Sequence, residues 1–144
     1  GFEVTIGNSP KDVASKCNLL ITATASKEYL LSKNDIKEGT HINAVGADTV
    51  GKRELGPGII KKADIVIADS IVQCQERGEI ACAIKDGDTA TKNIFELGDI
   101  LSGKAKGREF DSQITVCDLT GVSVQDIKIA TAVFKRYMEK KNEI

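Results

Sequence analysis

Four short apolar runs, NLLITA (18–23), HINAV (41–45), ADIVIA (63–68) and ITVCD (114–118), recur along the chain with helix-like stretches between them. This alternation limits the fold more than any other feature. Apolar runs of this length, without strict polar alternation, are strands buried on both faces. Helical connections between them favour parallel pairing, so the class is α/β with a mainly parallel sheet. A further strand is expected at 2–6, where Phe2, Val4 and Ile6 alternate with other residues. A helix should follow it, capped by Ser9 with Pro10 in its first turn. Residues 71–85 read as helical around Gly78, and 94–101 as a short helix stopped by Gly103. Residues 122–141 carry apolar positions at helical spacing and read as a long amphipathic helix.

Composition removes several classes of partner. Lys and Arg number 20 against 21 Asp and Glu, mixed along the whole length, so there is no basic stripe for nucleic acid or an anionic membrane. Aromatic residues make up only 4%, too few for a base-stacking platform. No apolar run approaches the roughly 18 residues that span a bilayer. Cys17, Cys74, Cys82 and Cys117 lie far apart and His41 is the only histidine, so no metal site is expected. Without a secretory leader, these read as reduced thiols of a cytoplasmic protein. The opening Gly1-Phe2-Glu3-Val4 reads as a chain entered mid-strand.

Parallel α/β sheets gather ligands at the carboxyl ends of their strands. Three such ends carry small or polar residues: Thr22-Ala23-Thr24-Ala25-Ser26, then Gly46-Ala47-Asp48-Thr49-Val50-Gly51-Lys52, then Asp118-Leu119-Thr120-Gly121. The second nearly matches the phosphate-binding loop G-x-x-x-x-G-K-[ST], which makes a P-loop nucleotide triphosphatase a rival reading. Arg53 stands where that loop needs a hydroxyl for its metal, and Asp48 places negative charge where phosphate would sit. The plainest alternative is a solvated Asp48–Lys52 pair at a spacing of four, worth a few tenths of a kcal/mol.

The run from Gly39 to Leu55, GTHINAVGADTVGKREL, closely resembles the signature stretch of the ornithine cyclodeaminase/mu-crystallin family. The resemblance extends through TATAS (22–26), ELGDILSG (96–103) and DSQITV (111–116) to Gln125-Asp126, covering nearly the whole chain in order. It implies an incomplete Rossmann-type NAD(P)-binding domain at 1–121, the later strands of a mainly parallel sheet. The helix at 122–144 would return to a substrate domain that these residues do not contain. It also implies an NAD(P)-dependent amino-acid cyclodeaminase or dehydrogenase, working by hydride transfer at an amino-acid Cα through an imine. By resemblance, Asp48 is the catalytic carboxylate. Thr24, Asn43, Ala44, Val45, Gly46, Lys52 and Leu119 would contact the dinucleotide, and Asp48 and Thr120 the substrate. A carboxylate suits this chemistry because it stabilises a cationic imine and exchanges protons with water or amine. The partners implied are an amino acid or imine and a second copy in a homodimer. A non-catalytic ligand binder on the same scaffold, as in mu-crystallin-type members, is the alternative.

Four positions depart from the family pattern. Val50 replaces a common Pro, Gly56 and Gly58 flank Pro57 where a longer helix usually starts, and Leu119 replaces a Ser of the cyclodeaminases. No G-x-G-x-x-G occurs in the 144 residues, so the pyrophosphate has no glycine-rich helix start here. The chain reads as part of a longer enzyme that alone neither binds NAD tightly nor turns over substrate. In the strand order 3-2-1-4-5-6, residues 18–23 become an open edge, covered either by local re-pairing of 2–6 or by dimerisation.

Overall fold

A computed structural model describes residues 1–88 and 94–142. The elements run α1 (Pro10–Lys16), β1 (Leu19–Thr22), a single 3-10 turn (Lys33–Asp35), β2 (His41–Ala44), α2 (Ile59–Lys62) and β3 (Ile65–Ala68). They continue with α3 (Ile71–Glu76), α4 (Glu79–Lys85), β4 (Ile94–Glu96), α5 (Leu97–Leu101), β5 (Thr115–Asp118) and α6 (Ser123–Asn142). The five strands form one sheet in the order β1-β2-β5-β3-β4, with every pairing parallel. The strand last in sequence thus lies at the centre. Its register sets Asp118 level with Ala44 of β2 on one side and Ala68 of β3 on the other.

Local chemistry explains the elements. Ser9 accepts the Asp12 N–H at 3.1 Å, and Pro10 opens α1 where a missing N–H costs nothing. β3 and β5 are buried at every position, as unbroken apolar runs in an inner strand require. One sheet face packs Leu20, Ile42, Val66 and Val116 against α1, α2, α4 and the 31–36 connection, including Ile59, Ile80 and Ala83. The opposite face is thinner, with Ile65, Ile67 and Cys117 under Phe95, Leu97, Ile100 and Leu119. The helix after Pro57 is one turn long, in keeping with the two glycines that precede it.

Three sequence expectations are corrected. Residues 2–6 form no strand and pair with no strand among the described residues. Phe2 is 99% exposed, because a strand gains its hydrogen bonds only from a neighbour and the slots beside it in the expected order are not filled by these residues. Local re-pairing of 2–6 onto the edge is therefore not seen, and β1 keeps one open edge with Leu19 and Ile21 exposed. The stretch at 94–101 divides into the edge strand β4 and the helix α5, since Ile94, Phe95 and Glu96 extend alongside β3 before the turn begins. The helical stretch at 71–85 breaks at Gly78, whose φ of +93° no helix accommodates.

The long helix at 122–141 is present as α6, yet every side chain from Ser123 to Lys141 is exposed. Among the described residues no helix is long and apolar enough to cross a membrane.

Candidate functional site

At the carboxyl ends of β2, β3 and β5 the loops diverge around a cavity of about 290 Å³. Its apolar wall comes from Val45 and Leu119, and its polar wall from Asp48, Asp69, Thr120 and Gln125. The switch in strand order builds it. The chain leaves β2, crosses to β3 over the slot that β5 later fills, and the β2, β3 and β5 loops then face one another.

Asp48 stands exposed at the mouth of this cavity. Lys52 Nζ donates to its Oδ1 at 2.7 Å and the Thr49 hydroxyl donates at 3.0 Å. The Lys52 hydrogen bond, then that of Thr49, hold its carboxyl below the usual carboxylate range, so at neutral pH it is an anion that only accepts. The loop bearing it does not open a helix. Arg53 N–H donates to Ser26 O, Leu55 pairs in an isolated bridge with Leu31, and α2 begins only at Ile59. The amides after Lys52 therefore lack the aligned helix start on which a phosphate-binding loop depends.

Behind the loop lies a row of buried acids that sequence reading missed. Glu54, fully buried, accepts Thr24 N–H (2.6 Å) and the Thr24 hydroxyl (2.8 Å) at Oε1, and Gly46 N–H (2.9 Å) at Oε2. A Cβ on Gly46 would collide with the Thr24 backbone and with Glu54, so only glycine lets the two strand ends approach. Glu79, 1% exposed at the start of α4, accepts Glu54 N–H at 2.6 Å and Leu55 N–H at 3.1 Å. Asp118 in turn accepts Ile80 N–H at 2.8 Å. Each acid grips the backbone that carries the next.

Burial pushes Glu79 up to about 7 against the pull of its two amide donors, and the negative charges of Asp118 and Glu54 add to the rise. Burial likewise raises Asp118 to about 6, against the Ile80 and Glu79 amides, with Asp69 adding to the rise. One sequence signal for this row existed. Glu79 shares the inner face of α4 with Ile80 and Ala83, where an acid is out of place unless it is bonded.

The expected site residues are distributed unevenly. Val45, Asp48, Leu119 and Thr120 come together around the cavity. Lys52 joins them through Asp48. Thr24 lies instead beside a groove of about 220 Å³ along the open edge of β1, its backbone packed against Gly46 and Glu54 bridging the two. Asn43 sits inside β2 with its Oδ1 3.1 Å from His41 Nε2, and the side chain of Ala44 is in the core. Thr120 is 5% exposed and already engaged. Its hydroxyl donates to Asp69 Oδ1 at 3.2 Å and accepts from Gln73 Nε2 at 2.6 Å. Asp69 also accepts Gly121 N–H at 2.7 Å, which fixes the turn after β5. Among the described residues no group of His, Cys, Asp and Glu is arranged to hold a metal ion.

This arrangement has known counterparts. The alanine dehydrogenase of Archaeoglobus fulgidus is 39% identical over 132 residues, 91% of this chain and 41% of that protein. An archaeal alanine dehydrogenase dimer with bound NAD superposes with a TM-score of 0.88 at 34% identity, covering 98% of this chain and 43% of the other. The Thermococcus litoralis Delta(1)-pyrroline-2-carboxylate reductase, solved with NADH and L-proline, gives 0.86 at 30% identity over 92% of this chain and 42% of its own. The chain thus spans about two fifths of the length of these relatives. The α/β sheet with its C-terminal helix is the architecture they share with it. With the sequence pattern of the ornithine cyclodeaminase/mu-crystallin family matching residues 1–141, the chain belongs to that family.

Proposed function

We propose that this chain is the later part of an NAD(P)-dependent enzyme that oxidises or reduces the carbon–nitrogen bond of a small amino acid or imine. The observation that carries this reading is Asp48, an ionised carboxylate held by Lys52 at the mouth of a cavity with an apolar floor. The nicotinamide, when bound, supplies the two-electron acceptor or donor. A cavity of about 290 Å³ suits one flat ring or one small amino acid, and Val45 and Leu119 offer the ring an apolar face. The fit covers the nicotinamide end alone, because the sequence contains no glycine-rich turn for the pyrophosphate.

The work of the protein groups follows from their states. Asp48 faces the nitrogen, stabilises the positive charge that develops when the amino-acid Cα becomes an imine carbon, and accepts or returns the nitrogen's proton. Lys52 keeps that carboxylate anionic and aimed. Val45 and Leu119 keep water from the reacting carbon. Asp69 and Gln73 hold Thr120, so its hydroxyl braces the turn behind the substrate.

In the intact enzyme, Asp48→Asn is expected to lower kcat by about 10²-fold or more while NAD affinity stays within about threefold. Unchanged turnover in that variant, with the cofactor still bound, would sink the reading in favour of a non-catalytic binder. We place residues 1–121 in the dinucleotide-binding domain and assign α6 to the return toward a substrate domain. A homodimer and a reducing, cytoplasmic setting fit a solved relative that is a dimer and four unpaired cysteines.

A further inference from the structure

The partners that the structure gives Asp48 are Thr49 and Lys52, both members of its own loop. Neither ties the carboxylate to the rest of the molecule, so its place over the cavity is set by what holds the loop. At the entrance, Gly46 N–H donates to Glu54 Oε2 at 2.9 Å. At the exit, Glu54 N–H and Leu55 N–H donate to the two oxygens of Glu79, at 2.6 and 3.1 Å. Glu54 therefore closes the loop on itself, with its side chain on the first residue and its backbone on Glu79. The start of α4, which carries Glu79, is fixed in turn by Asp118 at the end of the central strand.

We propose that Glu54 and Glu79 are positioning residues that hold the loop carrying Asp48 by both of its ends and so set where that carboxylate stands over the cavity. The proposal rests on the reading of Asp48 given above. Other anchors exist, since Ala47 is buried, Arg53 N–H donates to Ser26 O, Cys82 Sγ donates to Lys52 O and the Arg53 side chain pairs with Asp86, but none of these joins the two ends of the loop. Both positioning acids lie among few compensating charges. Glu79 faces Glu54 and Asp118 on the acidic side, with Arg53 and Cys82 nearby. An amide at position 79 keeps the shape yet offers one acceptor oxygen where two N–H groups need one each.

The test pairs hydrogen–deuterium exchange on this chain with kinetics on the intact enzyme. In Glu79→Gln, amides 46–53 are expected to exchange at least about tenfold faster together with Glu54 and Leu55, while β1 and β5 keep their protection. Faster exchange confined to Glu54 and Leu55 would overturn the proposal. Should that variant not fold, Glu54→Gln reads the same clamp from the entrance side. In the enzyme, Glu79→Gln is expected to lower kcat about tenfold with the KM for NAD within about twofold, beside a modest fall in Tm from the amide left without an acceptor. A lower Tm with unchanged kcat would mark a purely structural role and refute positioning. The two claims fail separately. If the loop loosens as expected but the unsubstituted enzyme turns over no amino acid or imine, the functional reading fails and the clamp stands. If turnover exists and Glu79→Gln alters neither loop nor kcat, the clamp fails and the reading stands.

Discussion

Gly78 shows how strictly one residue can be specified here. Its φ of +93° with ψ of −168° is a region that only glycine enters readily, and an added Cβ would sit 2.7 Å from both Asp118 oxygens. Gly78→Ala should cost about 2–4 kcal/mol in denaturant unfolding, from backbone strain and displacement of the buried acid together. The buried acids also give stability an uncommon pH dependence. Glu79 rises from 4.5 to about 7 in the fold and Asp118 from 3.8 to about 6, so between these limits the folded state binds more protons than the unfolded one. Their contribution is full below pH 4 and lost as pH climbs to 7. The opposite trend comes from Asp12, Asp35 and Asp48, whose lowered values add stability that disappears as the medium turns more acidic. The unfolding free energy from urea titration is therefore expected to peak in mild acid and fall toward pH 8 by on the order of 2 kcal/mol. A flat profile from pH 4.5 to 8 would show that both acids are already charged in the fold throughout that range and would overturn their raised values. Asp48 and Lys52 were legible in the sequence because the loop that carries them is contiguous. Glu54, Glu79 and Asp118 were not, because apart from the Thr24 hydroxyl the donors they accept from are backbone amides, and a backbone amide has no letter in the sequence. Thr24 and Glu54 are 30 positions apart, and nothing at either position announces the other.

Among the elements, the unbroken apolar runs identified β1, β2, β3 and β5 within a residue or two at each end. β4 escaped because three residues run straight into α5 without a glycine or proline to divide them. Residues 2–6 carried the right alternation, but alternation marks a face for burial and does not supply a neighbour to bond. The position of β5 was hidden too, since strand order depends on connections and not on the strand's own composition. Helix α6 allows a direct test. Its side chains from Ser123 to Lys141 are all exposed, so ending the chain at Val122 should shift the thermal midpoint of this chain by less than about 3 °C. A larger loss would show that α6 is bound to something in solution, most simply through Phe134, Tyr137 and their apolar neighbours.

At the scale of the whole molecule, the family was legible in the sequence and the limits of the site follow from its geometry. The described residues bring together a carboxylate and an apolar floor, and the sequence has no glycine-rich cradle for two phosphates. Calorimetric titration of this chain with NAD should accordingly show a Kd no tighter than about 1 mM, and micromolar binding would contradict that. The strand order has a further consequence for how such a chain is made. β2 and β3 never touch, and β5 joins them. A chain emerging from the ribosome can pair β1 with β2 and β3 with β4, but the two half-sheets stay apart, each with a raw inner edge, until residues 115–118 leave the exit tunnel. An arrest or premature stop before residue 115 would release two sticky half-sheets rather than a smaller folded protein, and such products are fit only for chaperones or proteolysis.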